Sequence, residues 1–147
     1  MTSRVPAAVP FSMVHPKPTA ASGNDPLERM TVSQLATALV PDCFKDCEKL
    51  IEHPVTAAIG PDLYHAVGSI VVNIAEGYSR SSGADRVRFY EYALGSVRES
   101  MKWYRSSAPV LGTECATDRL DRLEEMRRLL LATIPRERGR TIRKVRT

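Results

Sequence analysis

The sequence contains little that would suit an exported, membrane-spanning or disulfide-stabilised protein. No apolar run reaches the roughly 18–20 residues of a membrane span. Pro6 and Pro10 interrupt the apolar residues near the N-terminus, so no secretory signal is predicted. The three cysteines, Cys43, Cys47 and Cys115, cannot all pair with one another. Without an export signal, we predict reduced thiols in a cytoplasmic protein.

Patterns that would support catalysis or metal binding are also scarce. No histidine has a glutamate three residues before it, which excludes the Glu-x-x-His pairs of di-iron bundles. There is no glycine-rich phosphate loop and no serine in a nucleophile's strand–turn–helix setting. Cys43 and Cys47 lie four residues apart, but no second ligand pair has suitable spacing, so we interpret them as small core residues. We therefore predict a non-catalytic protein without metal or cofactor.

Helical periodicity dominates what remains. Apolar residues recur every three or four positions in four segments, and no strand-like alternation competes with them. The first predicted helix runs from about Ser33 to Glu52, and the second starts near Pro61. The third follows "SSGAD", in which Ser82 and Asp85 resemble a capping box. The fourth runs from an N-cap at Thr117 to about Ile134. Pro41 is expected to kink or restart the first helix. The pattern predicts an all-α, up-down-up-down four-helix bundle over residues 31–134.

The two ends of the chain differ from this central part. Residues 1–30 contain half of the ten prolines and little periodicity, which predicts a disordered leader. Pro135 is expected to end the last helix and to begin a basic tail, residues 135–147, of net charge +5. The basic residues of the tail are Arg136, Arg138, Arg140, Arg143, Lys144 and Arg146.

The third helix carries too many apolar residues for a single buried face. A second apolar set lies beside its main stripe, which favours burial on two sides and so a homo-oligomer. Phe89, Tyr92 and Trp103 are the predicted interface residues. Arg98, Lys102 and Arg105 step along the same helix and could extend the basic surface of the tail, although Glu91 and Glu99 could instead make this an ordinary solvated stripe.

Two linked motifs in the second and third helices carry a family resemblance. "SIVVNIAEGYSR", residues 69–80, and "RFYEYALGSVRE", residues 88–99, resemble the four-helix-bundle family first noticed as proteins encoded within 23S rRNA intervening sequences. The motif positions are Asn73, Glu76, Gly77, Arg80, Arg88, Phe89, Gly95, Ser96 and Glu99. Asp62, Tyr64 and His65 depart from the glutamine and paired arginines that many members have at the start of the second helix.

The resemblance implies an architecture more strongly than a function. Known members are homo-oligomers, commonly pentamers, which implies assembly into a ring. Relatives include the accessory protein of diversity-generating retroelements, which works with nucleic acid and a reverse transcriptase. In such a bundle, Gly77 and Gly95 would allow close helix approach, and the polar motif residues would bond at the core edge or between subunits. Contact with a ligand or nucleic acid is the alternative role for these residues.

Two classes of function follow from the sequence. The first is an oligomeric accessory protein that binds nucleic acid, most plausibly RNA, because basic tails multiplied by oligomerisation would attract phosphates. RNA or DNA would be held by its backbone and shape, since no aromatic-lined strand surface is predicted. The second is a protein-binding scaffold or adaptor whose tail only aids solubility.

Overall fold

The computed structural model describes residues 25–140, and four long helices dominate this part of the chain. The helices are α1 (Thr31–Glu52), α2 (Ile59–Tyr78), α3 (Gly83–Leu111) and α4 (Thr113–Arg138). A short 3-10 helix, Pro26–Arg29, precedes α1 within the predicted leader. No strand occurs between residues 25 and 140. The prediction of an all-α four-helix bundle is confirmed.

Contacts between the helices show that neighbours run antiparallel. Between α1 and α4, Asp42 pairs with Arg122 while Asp46, further along α1, pairs with the earlier residue Arg119. Between α3 and α4, Glu91 near the start of α3 pairs with Arg138 at the end of α4. The order of the helices is therefore up-down-up-down, with α2 and α4 on either side of α3.

The core follows the apolar stripes that the sequence predicts. The largest fully buried side chains are Tyr90, Tyr104, Leu39, Leu50, Leu63, Ile70, Ile74, Leu123, Met126, Leu130, Val32 and Val67. Cys43 and Cys47 are both buried, with their Sγ atoms 3.8 Å apart, so their interpretation as core residues is confirmed. Fully burying one large apolar side chain contributes about 1.5–3 kcal/mol, which is why these stripes decide the helix faces.

The helix ends differ in part from the expected positions. Ser82 accepts a hydrogen bond from the backbone N–H of Asp85 at 3.1 Å, as the capping box predicts. The expectation that Pro135 ends the last helix is wrong, because α4 continues to Arg138. Pro41 lies inside α1, so the helix does not restart there. Both prolines are exposed, where water can reach the carbonyl that lacks a helical donor.

The corner between α3 and α4 consists of a single residue. Gly112 has φ of 89° and ψ of 151°, a backbone conformation that a residue with a side chain rarely adopts. It is the C-cap of α3 and the N-cap of α4, so α4 begins at Thr113. The predicted N-cap at Thr117 is therefore wrong: an N-cap signal in the sequence cannot compete with a tight turn that starts the helix one turn earlier.

A buried carboxylate links α1, α3 and α4. Asp46 is only 2% exposed and accepts hydrogen bonds from the hydroxyl of Tyr104 at 2.9 Å and Nε of Arg119 at 2.8 Å. The thiol of Cys115 donates to its other oxygen at 3.4 Å. Burial, followed by the neighbouring Cys43 and Asp46, raises the pKa of Tyr104, so this hydroxyl remains a donor. The Asp46 cluster thus supplies hydrogen-bond donors to both oxygens of a carboxyl group inside the core.

The two motif glycines are expected to respond oppositely to alanine. A Cβ at Gly77 would lie 2.8 Å from the ring of Tyr90 and 3.1 Å from Cβ of Phe89, which confirms the predicted close approach of α2 to α3. A Cβ at Gly95 would meet nothing within 4 Å, so the same prediction is wrong for Gly95 within residues 25–140. Gly77→Ala should lower the free energy of unfolding by about 1–3 kcal/mol through overpacking.

Gly95→Ala, the matched variant, should instead raise that free energy by about 0.5–1 kcal/mol, because alanine is the better residue in a helix. Urea denaturation of both variants checks the pair. Equal effects of the same sign would show that helix propensity, rather than the contact with Tyr90, governs both positions.

Candidate nucleic-acid interface

The predicted basic residues of α3 gather at a groove between α3 and α4. Arg98, Lys102 and Arg105 share the exposed face of α3, since their spacing of four and three residues keeps them within one helical stripe. Together with Arg127 of α4 they line a cavity of about 360 Å³. Its other lining residues are Met101 and Glu124. We call this the basic groove: four cationic side chains face one carboxylate.

One of the four cations is neutralised locally. Nε and an Nη of Arg127 donate to the two oxygens of Glu124 at 2.8 and 2.6 Å. This hydrogen bonding lowers the pKa of Glu124, so the carboxylate stays ionised and occupied near neutral pH. The ion pairs within residues 25–140 leave Arg98, Lys102 and Arg105 without a carboxylate partner. These three side chains remain available to an anion.

Much of the predicted tail belongs to α4 or pairs with the bundle. Arg136 and Arg138 lie in the last helical turn, and Arg138 donates to Glu91 at 2.5 Å. Arg140 pairs with the buried Glu137, which also faces Arg86 at 3.5 Å. Among the basic tail residues up to residue 140, only Arg136 has no carboxylate partner. Arg143, Lys144 and Arg146 lie outside the described residues.

The groove has the chemistry of a phosphate-binding surface. Arginine and lysine side chains supply several N–H donors and positive charge, whereas the only apolar lining residue is Met101. No aromatic ring lines the groove for base stacking. The arrangement can hold a polyanion through its backbone without reading its bases.

The motif residues lie apart from this groove, at the junction between α2 and α3. Ser96 donates to the hydroxyl of Ser69 at 3.0 Å, and the amide of Asn73 donates to the carbonyl oxygen of Ser69 at 2.9 Å. This small polar cluster joins the two helices across their partly buried edge. The expected hydrogen bonding of Asn73 at the core edge is confirmed, and Ser69 is an additional member of the cluster.

The charged motif residues surround one aromatic ring. Glu76 pairs with Arg80 one turn later, and both side chains are nearly half exposed. The guanidinium groups of Arg80 and Arg88 lie 4.7 and 5.2 Å from the ring centroid of Phe89. Cation–π contacts therefore hold both guanidinium groups, and the carboxylate of Glu76 additionally holds Arg80. Glu99 is exposed and makes no ion pair within residues 25–140.

The three predicted interface residues have different environments in the helical bundle. Tyr92 is 53% exposed and packs edge-on against Phe89, with ring centroids 5.8 Å apart. Phe89 is half-buried. Trp103 packs against the core, and its indole N–H is buried without an acceptor among the described residues. Tyr92 offers most of the free aromatic surface of this set.

Two further properties bear on what the site can be. No helix within residues 25–140 is long and apolar enough to cross a membrane. The same part of the chain holds no group of three histidine, cysteine or acidic side chains that could bind a metal ion.

Fold and motif together define the class of protein. The class is defined by an antiparallel four-helix bundle with a polar and glycine-containing junction between its second and third helices. The chain belongs to the family described as 23S rRNA-intervening sequence protein, which it matches over residues 28–132, more than half its length. No curated protein sequence matches the chain.

Proposed function

We propose that this protein is a non-catalytic, homo-oligomeric accessory factor that binds RNA through the basic groove and the C-terminal tail. One observation carries the proposal: Arg98, Lys102, Arg105 and Arg127 line one groove that contains a single carboxylate. The family's description refers to 23S rRNA, and this supports RNA over DNA as the ligand. Oligomerisation would repeat the groove and raise the avidity of each assembly.

Binding of a fluorescent single-stranded RNA to the full-length protein tests the proposal. We expect binding at low salt that weakens steeply as salt rises, because phosphate contacts release condensed counterions. A control variant without three exposed basic residues elsewhere, Arg29, Lys45 and Lys49, should bind almost as well as the wild type. Absence of binding at low salt would contradict the proposal and favour the protein-binding scaffold.

The proposed oligomer is a pentamer, with the α2–α3 junction as its interface. In an isolated subunit, the half-exposed Glu76–Arg80 pair is worth under about 1 kcal/mol, so Glu76→Ala should barely change the melting temperature. If a second subunit covers the pair, its loss should be far more costly, up to about 3–5 kcal/mol. Glu76→Ala is therefore expected to loosen assembly. Arg88→Ala should do the same, because Arg88 packs over the ring of Phe89, a predicted interface residue.

Light scattering of the wild type and both variants at micromolar concentration measures this effect. A stable monomeric wild type would contradict the oligomer. Wild-type assembly and melting in both variants, combined with loss of RNA binding, would instead make the motif a binding site.

A further inference from the structure

An apolar groove crosses the face formed by α1 and α2, on a part of the surface that the proposed RNA site does not use. Two cavities, of about 310 and 530 Å³, share Pro61 and Tyr64 and so form one continuous depression. Phe44 and Ile51 of α1 form one wall, and each is 52% exposed. The rings of Phe44 and Tyr64 pack edge-to-face with centroids 5.9 Å apart. We call this depression the apolar groove.

Two glycines give the groove its depth. A Cβ at Gly60 would lie 2.7 Å from Cγ1 of Ile51, so this glycine lets α2 approach α1 closely. A Cβ at Gly68 would meet nothing within 4 Å, so Gly68 leaves an open hollow beside Tyr64 and Val72. Val72, 64% exposed, extends the apolar surface along α2. Glu48 is the only lining residue with a full charge.

We propose that residues 5–18 of this chain, "VPAAVPFSMVHPKP", occupy the apolar groove. This proline-rich segment lies outside the described residues. It contains four prolines together with valine, phenylalanine and methionine side chains, a composition suited to an aromatic-lined groove. Proline also reduces the conformational entropy that a segment loses when it binds.

Charge is complementary between the segment and the groove. Residues 5–18 contain Lys17 but no acidic residue, and Arg4 directly precedes them. The charged lining residue of the groove is Glu48, so a basic segment meets a carboxylate and no competing cation in the lining.

The segment is long enough to reach the groove. The described chain starts at Asp25, close to the beginning of α1. Phe44 lies 13 residues after Thr31, or about 20 Å along the helix axis. The 14 residues that separate Phe11 from Asp25 can span up to about 46 Å. Because the segment is covalently attached, its effective concentration at the groove is on the order of millimolar.

A photo-crosslinking amino acid placed at Phe11 of the full-length protein tests the proposal. We expect crosslinks to peptides that contain Ile51, Tyr64 or Val72. Gly68→Met should fill the hollow without disturbing the bundle and reduce this crosslinking on the order of tenfold, equivalent to about 1.4 kcal/mol of lost contact. Gly95→Met is the matched control: it too places methionine at an open mid-helix glycine, but on α3, and should leave crosslinking unchanged.

Mixing isotope-labelled and unlabelled protein identifies the origin of the segment. Crosslinks within one chain are expected. Crosslinks mainly between labelled and unlabelled chains would overturn the assignment to the chain's own segment and make the groove an interface between copies. Crosslinks outside the groove, or equal yields from the Gly68→Met and Gly95→Met variants, would also overturn the proposal. Circular dichroism of both variants establishes that any loss does not come from unfolding.

Discussion

Replacing Asp46 with alanine is expected to lower the free energy of unfolding by about 3–5 kcal/mol, the typical cost of breaking a buried ion pair from one side. The carboxylate is 2% exposed, and Arg119, its main partner, is 16% exposed. Without Asp46, the guanidinium would remain largely buried beside the hydroxyl of Tyr104, which would lose its acceptor as well. A loss of this size is a large part of the total free energy of unfolding of a domain, so the variant should melt far below the wild type.

The Asp42–Arg122 pair provides the control on the same two helices. Its oxygen and nitrogen are 2.7 Å apart, but the side chain of Asp42 is 40% exposed. Asp42→Ala should therefore cost less than about 1 kcal/mol. Chemical denaturation of Asp42→Ala and Asp46→Ala compares the two pairs. Adding Arg119→Ala and the double variant Asp46→Ala/Arg119→Ala completes a cycle that isolates the interaction energy between Asp46 and Arg119. Equal losses from Asp42→Ala and Asp46→Ala would show that burial does not distinguish the pairs.

Removing the three unpaired cations of the basic groove should reduce RNA affinity more than any other set of three charges. The variant R98A/K102A/R105A is expected to flatten the slope of log K against log salt by about 2, because each neutralised phosphate contributes roughly 0.7 for a single strand. The bundle should remain folded, since all three side chains are exposed. Fluorescence anisotropy across a salt series measures both affinity and slope.

A variant without the basic tail should be compared with the groove variant, and the structure shows where the chain can be cut. A cut before Arg136 would delete Glu137, whose carbonyl oxygen packs so closely against Gly83 that a Cβ there would clash with it. The end of α4 therefore supports the start of α3 and has to stay. Truncation after Arg140 removes Arg143, Lys144 and Arg146 only, and we expect a smaller loss than for a deletion of the whole basic stretch.

These two variants distinguish the contributions of groove and tail. Roughly additive losses would indicate that both contact the same RNA. If the groove variant kept the wild-type slope while the truncated protein lost its salt dependence, RNA would be bound by the tail alone. Unchanged binding in both would contradict the assignment of either surface.

The sequence predicts the helices well because each one buries a stripe of its own. Leu39, Cys43 and Leu50 show the repeat in α1 without any knowledge of their neighbours. The capping box at Ser82 and Asp85 is equally local, and it marks the start of α3 correctly. Features that depend on contacts within about four residues were therefore accessible from the sequence.

The Asp46 cluster was not predicted, because its partners are distant in the chain. Tyr104, Cys115 and Arg119 lie 58, 69 and 73 residues away from Asp46. A local signal does exist: Asp46 lies seven residues after Leu39, on the apolar stripe between Cys43 and Leu50. An acidic residue within a core stripe indicates a buried partner, although the sequence does not identify which cation supplies it.

The sequence predicts the part of the candidate site that lies on α3 but not the part that lies on α4. Periodicity placed Arg98, Lys102 and Arg105 on one face of α3, but Arg127 joins them only because α4 packs antiparallel beside that face. Gly95 shows the converse error, since a glycine in a helix can permit close packing or leave a hollow, and only the neighbouring helix decides which. Pairing between helices is a tertiary property that a single helical pattern does not encode.

Because Gly112 alone joins α3 to α4, the helical hairpin can evolve by substitution far more readily than by insertion or deletion. One residue added within α4 ahead of Arg127 would turn every later side chain by about 100° around the helix axis. Arg127 would leave the groove, and Ile134 would leave the core. The six residues between α1 and α2, residues 53–58, could absorb a change of length without rotating either helix. Length variation among relatives should therefore concentrate at that connection and avoid the hairpin.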